Sequence, residues 1–96
     1  MRPSEALAKH RDAVLAIIAR YPVSNPRVFG STARGEDVDG SDLDILVDTE
    51  TTTSTFDLAG LEIEIEKLLN VAVGVHTPRE FKRQAAARIA AEHRAL

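Results

Sequence analysis

Two aspartates, Asp42 and Asp44, stand one residue apart in the segment DLDILVD. In a β-strand, residues i and i+2 leave the same face, about 6.5–7 Å apart. Like charges at that spacing repel when dry, and a hard divalent cation reverses the sign of the interaction. A donor set of carboxylates alone suits Mg2+ or Mn2+ rather than zinc. Paired ions about 3.5–4 Å apart serve phosphoryl or nucleotidyl transfer. The same pair on an edge strand, with its acids in water, would do no chemistry. Gly30-Ser31, at the end of the preceding apolar run RVF, argues against that plainer reading. A glycine lets the backbone approach a ligand closely. Main-chain N–H groups and a serine hydroxyl at such a turn can hold phosphate oxygens.

These residues need elements to place them. Ser4 is a candidate N-cap after Pro3, and Leu7, Val14, Leu15, Ile17 and Ile18 recur at helical spacing to about Arg20. Tyr21-Pro22 stops that helix, because a residue before proline avoids the α region. Arg27-Val28-Phe29 reads as a short strand ending at Gly30, and STARGEDVDG as a loop holding one helical turn. In the next strand Leu43, Ile45 and Val47 point one way and Asp42, Asp44 and Leu46 the other.

Ser54 and Asp57 form a capping box with Asp in place of the usual Glu, opening a helix with Leu58, Leu61, Ile65, Leu68 and Leu69 as its stripe. The alternation LEIEI inside it imitates a strand, but the longer pattern and the C-cap candidate Asn70 favour helix. Glu62, Glu64 and Glu66 then read as a solvated helix face. VAVGVH is a third strand, and Thr77, Pro78 and Glu80 start a last helix whose buried side is Phe81, Ala85, Ile89 and Leu96. The expected fold is two-layer α/β (α+β) in the order helix, strand, strand, helix, strand, helix. Its small mixed three-stranded sheet has helices on one face and the aspartates on the other.

A chain of 96 residues fits one compact domain, residues 1–96. There is no cysteine, which removes disulfides and thiolate zinc sites and agrees with a reducing cytoplasm. No apolar run approaches the ~20 residues of a membrane span, and no apolar h-region follows Arg2. Net charge is −3, but residues 1–20 carry +2, residues 21–76 carry −8 and residues 77–96 carry +3. An acidic centre opposes direct binding to a nucleic-acid backbone. The basic ends could dock a protein partner, and the short sheet could extend by pairing with a second copy.

GSTARGEDVDGSDLDILV resembles the signature of the DNA polymerase β-type nucleotidyltransferase superfamily: Gly-Ser, ten residues, then Asp-x-Asp. The short length, Ala33-Arg34-Gly35 and Ser41 before the first aspartate are similar to its minimal nucleotidyltransferase (MNT) branch. Members of that branch commonly act as antitoxins of HEPN-domain ribonuclease toxins. The resemblance implies that Gly30 and Ser31 hold the triphosphate of ATP, with Arg34 and Ser41 as further nucleotide contacts. It implies that Asp42 and Asp44 ligate Mg2+ (or Mn2+). AMP would pass to a hydroxyl, in this branch a tyrosine of the toxin.

One part of the pattern is missing. The superfamily adds a third carboxylate from the next strand, and Gly74 stands at that position here. His76, two residues on, is the nearest stand-in as base or ligand, although a plain strand-end histidine is the preferred reading of it. Asp37 and Asp39 lie in the loop, within reach of the site. Two rivals follow: an adenylyltransferase antitoxin, or an MNT-type antitoxin that neutralises by contact alone. Transfer to a small molecule is a third class, and usually needs an added substrate domain. Arg88 to His93 formally matches the Arg-x4-His pattern of HEPN ribonucleases, but those are all-helical, so the match reads as chance. His10 and His93 read as surface residues.

Overall fold

The structure, a computed structural model, describes residues 1–80 and 91–96. Its elements are α1 (Pro3–Ile18), β1 (Val23–Phe29), α2 (Ser31–Arg34), β2 (Leu43–Thr49), α3 (Thr55–Leu69), β3 (Val73–His76), a 3-10 turn (Pro78–Glu80) and β4 (Arg94–Ala95). The sheet runs β3-β2-β1-β4. β1 is antiparallel to both β2 and β4, and β2 is parallel to β3. A parallel pair needs a crossover, and α3 supplies it.

The alternation in β2 sorts as its pattern requires. Leu43, Ile45 and Val47 are fully buried against α1 and α3, where Val14, Leu61 and Ile65 complete the centre of the core. Each such side chain contributes about 1.5–3 kcal/mol on burial. The other face carries Asp44 and Leu46, and Leu46 is buried there with Phe29. Among the described residues the helices therefore cover one face of a mixed sheet, as expected. No helix among them is long and apolar enough to cross a membrane.

Several local expectations change. The N-cap of α1 is Arg2, not Ser4; the Arg2 N–H donates to Glu5 Oε1 at 3.1 Å. Ser4 sits in the first turn, where its N–H donates to Asp37 Oδ2 at 2.8 Å. A carboxylate 33 positions away thus satisfies one of the orphan amides at the helix start. Strand β1 begins at Val23 rather than Arg27, and its pairing register shifts between Ser24 and Arg27. Asn25 takes a positive φ of 49° there, so a bulge carries Pro26 within the strand.

A fourth strand, β4, pairs with β1 where only the end of a helix was expected. Leu96 still packs against the core, and its N–H donates to Pro26 O at 3.0 Å. The span expected as the last helix, with Phe81, Ala85, Arg88 and Ile89, lies outside the described residues. Ser54, Asp57 and Asn70 cap α3 as read from the sequence.

The glutamates of α3 are not simply solvated. Val73 N–H donates to Glu66 Oε1 at 3.0 Å and Val75 N–H to Glu62 Oε1 at 2.9 Å. Spaced one turn apart on α3, these carboxylates satisfy alternate amides of β3, a strand that ends the sheet. Glu64 instead accepts from the Tyr21 hydroxyl and the Arg20 guanidinium. With these β3 amides occupied, that edge of the sheet is guarded against pairing with another strand.

Candidate active site

β1 stops at Phe29 because Gly30 turns the chain with φ 72° and ψ −150°, a conformation open to glycine. One turn of helix follows. Gly35 closes it in the left-handed region at φ 71°, with Glu36 N–H donating to Ser31 O at 2.9 Å. No side chain caps the start of α2. The first-turn amides of Ser31, Thr32 and Ala33 have no acceptor within the helix.

The rest of the loop is tied down before β2 begins. Asp37 is buried and anchored to α1 through Ser4. Burial alone would raise its carboxyl; the hydrogen bond from the Ser4 amide, with the nearby Arg2 charge, outweighs that and holds it below the usual range. Ser41 turns the chain into Asp42: its hydroxyl accepts from Val38 N–H at 2.9 Å, and its own N–H donates to Val38 O at 3.0 Å. The sequence placed Asp37 in the loop, within reach of the site. No local signal marks a contact spanning 33 positions.

Register assembles the site. Phe29 pairs with Asp44 across β1 and β2, and Asp44 with Gly74 across β2 and β3. Gly30 therefore adjoins Asp44: a Cβ built on it would lie 3.2 Å from Asp44 Oδ2. Asp42 is exposed, just ahead of β2, whereas Asp44 is half-buried. Burial pushes the Asp44 carboxyl up, the neighbouring His76 opposes that, and the like charge of Asp42 adds to it. A carboxylate whose ionised form lacks water and lies near another is one that a cation would stabilise.

Gly74 does fall beside Asp44. Instead of a carboxylate, His76 folds back over it, with Nε2 3.3 Å from Asp44 Oδ1. Its ring meets Phe29 edge-on, centroids 5.3 Å apart at 75°. Arg34 is engaged elsewhere: its guanidinium donates to Glu36 at 3.1 Å and Glu92 at 3.0 Å.

The structure thus brings Gly30, Asp44, Gly74 and His76 together, sets Asp42 and Ser41 just upstream, and gives Arg34 and Ser41 partners of their own. Among the described residues no three His, Asp or Glu side chains form a ready metal cage. Two carboxylates leaving room for phosphate and water ligands still match the habit of Mg2+. A hollow of about 460 Å3 reaches Met1, His10, Ser41 and Asn70, but neither aspartate lines it.

The nucleotidyltransferase domain family model matches residues 8–96. A Methanocaldococcus jannaschii protein named as a candidate protein adenylyltransferase is 38% identical over 64 residues, spanning 67% of this chain and 69% of the relative. The solved structure of a candidate minimal nucleotidyltransferase superposes with a TM-score of 0.86 at 38% identity, covering 97% of this chain and 95% of the other. A chain in the complex of a tri-AMPylated Shewanella oneidensis HEPN toxin with its MNT antitoxin shares the fold. It has a TM-score of 0.68 at 13% identity, over 92% of this chain and 69% of that one. The chain belongs to the nucleotidyltransferase domain family, as a nucleotidyltransferase of the minimal, MNT type.

Proposed function

We propose that this chain is a Mg2+-dependent protein adenylyltransferase that moves AMP from ATP to a tyrosine hydroxyl of a HEPN toxin, and so serves as its antitoxin in the cytoplasm. The observation that carries this reading is the closeness of the two halves of the motif: a Cβ built on Gly30 would lie 3.2 Å from Asp44 Oδ2. Phosphates held by the Gly30-Ser31 amides would sit next to the carboxylate pair. Mg2+ would be held by Asp42 and Asp44, or Mn2+ in its place. The chemistry it supplies when bound is neutralisation of charge on the transferring phosphate. The chain's own part is positioning: β1 and α2 fix the triphosphate end, and β2 fixes the carboxylates. The acceptor oxygen bonds to the α-phosphorus as the bond to the bridging oxygen of pyrophosphate breaks, and the hydroxyl proton passes to solvent. Asp42 lies exposed just ahead of β2, in keeping with a bulky protein acceptor rather than an enclosed small substrate.

A second reading keeps the partner and drops the chemistry. Gly74 leaves the position beside Asp44 without a third carboxylate, which favours neutralisation by contact. One experiment separates the two. Incubation with labelled ATP, Mg2+ and the cognate HEPN protein is expected to label that protein. Asp42→Asn with Asp44→Asn is expected to abolish the label and the rescue of toxicity together. Rescue that persists without any label in the wild type would establish the contact reading instead.

A further inference from the structure

Gly74 and His76 lie on the same face of β3, and the histidine occupies the space that a side chain on Gly74 would need. A Cβ at position 74 would come within 2.7 Å of His76 Nε2 and 3.5 Å of its Cε1, and 3.3 Å of Asp44 Oδ1. The ring thus reaches back along the strand, over a bare backbone, to Asp44. An ionised carboxylate only accepts hydrogen bonds, so opposite ionised Asp44 the donor is the ring nitrogen Nε2. Phe29 stands edge-on to the ring from β1, which limits its rotation. Asp44 is then bounded on two sides: His76 Nε2 lies 3.3 Å from Oδ1, and a side chain on Gly30 would press on Oδ2.

We propose that His76 is a positioning residue: it fixes the carboxylate of Asp44 for a divalent cation, and Gly74 lacks a side chain in order to seat the ring. Partners that orient a metal-ligating side chain set its affinity for the ion, and their loss typically costs roughly 10–100-fold. The proposal rests on the reading of Asp42 and Asp44 as cation ligands, and it makes Gly74 and His76 one functional unit. An alanine at 74 would displace the end of a flexible side chain, not the backbone, so Gly74→Ala should evict the ring while the sheet remains.

The probe is Mn2+ alone, titrated by calorimetry and electron paramagnetic resonance. His76→Ala and Gly74→Ala should each weaken binding about 10-fold or more. The double variant should be no weaker than Gly74→Ala alone, because that variant already lacks the His76 contact and carries its methyl 3.3 Å from Asp44 Oδ1. His76→Gln, whose amide can donate from a similar reach, should recover most of the affinity. Wild-type affinity in His76→Ala, or additive losses in the double variant, would overturn the proposal. Asp42→Asn with Asp44→Asn should abolish binding; a wild type that binds no Mn2+ would sink the cation reading itself. The positioning claim is then judged without metal. The His76 ring should show a nuclear Overhauser contact to Gly74 Hα, and its 15N shifts should move alike in Asp44→Ala and Gly74→Ala. Absence of that contact, or unmoved shifts, would refute it.

Discussion

Replacing Gly30 by alanine tests whether the turn and the carboxylate are one machine. Two separate penalties meet at this position. The backbone, at φ 72° and ψ −150°, lies where a side chain strains the chain by about 1–3 kcal/mol. The new Cβ would also press on Asp44 Oδ2 at 3.2 Å. Restricting the unfolded chain returns about 0.4–1 kcal/mol, leaving a net loss of about 1–2 kcal/mol. At roughly 4–8 °C per kcal/mol for a chain of this size, Tm should fall by about 5–15 °C.

Gly35→Ala is the matched control. Its φ is 71° with ψ 21°, the ordinary left-handed region, and nothing lies within 4 Å of an added Cβ. There the strain of about 1–2 kcal/mol is largely offset by the same unfolded-state gain. Thermal denaturation and Mn2+ titration should be run on both variants, well below their midpoints for the titration. Gly30→Ala should lose both stability and cation affinity, Gly35→Ala little stability and no affinity. Equal stability losses in the two variants, or unchanged Mn2+ binding by folded Gly30→Ala, would refute the argument that Gly30 and Asp44 share one packed contact.

Three further outcomes follow from the same contacts. Asp37→Ala removes the carboxylate that accepts from Ser4 N–H and should cost about 0.5–2 kcal/mol in urea unfolding, as loss of a helix cap does. Because the Asp37 carboxyl is held below its usual range, its contribution is complete above the unfolded aspartate value of about 3.9 and fades as pH falls through the native value. The stability gap between wild type and Asp37→Asn should therefore narrow on acidification through that window, and a gap that widens would contradict it. Glu62→Ala with Glu66→Ala bares the Val73 and Val75 amides, and should raise the solution mass with concentration in light scattering, as an unguarded strand edge recruits another. A mass equal to wild type at every concentration would show that these carboxylates do not guard the edge.

Much of the site could be read from short-range pattern. Gly-Ser, the following ten residues and Asp-x-Asp specify a turn, a loop and a strand whose alternate residues must face opposite ways. Ser54, Asp57 and Asn70 likewise mark the ends of α3 by capping chemistry that is complete within a few residues. The family resemblance also flagged the missing carboxylate at Gly74, whereas the pairing that sets Gly74 beside Asp44 came only with the assembled sheet.

What it could not show were contacts between residues far apart in the chain. The N-cap of α1 was misplaced by two residues: Arg2 opens the helix, and Ser4, inside its first turn, donates its own N–H to Asp37, a residue with no local tie to it. The glutamates of α3 looked solvated because only the packing of α3 beside β3 turns them onto strand amides. Strand β4 was missed because two residues carry too little periodicity to announce a strand; pairing with β1 alone makes them one. Local chemistry in the sequence determined which residues could act and on which face of β2 they stand. The tertiary structure decided that Gly30 abuts one oxygen of Asp44 and that His76 covers Gly74 to reach the other, since strand register and side-chain reach exist only once the sheet is assembled.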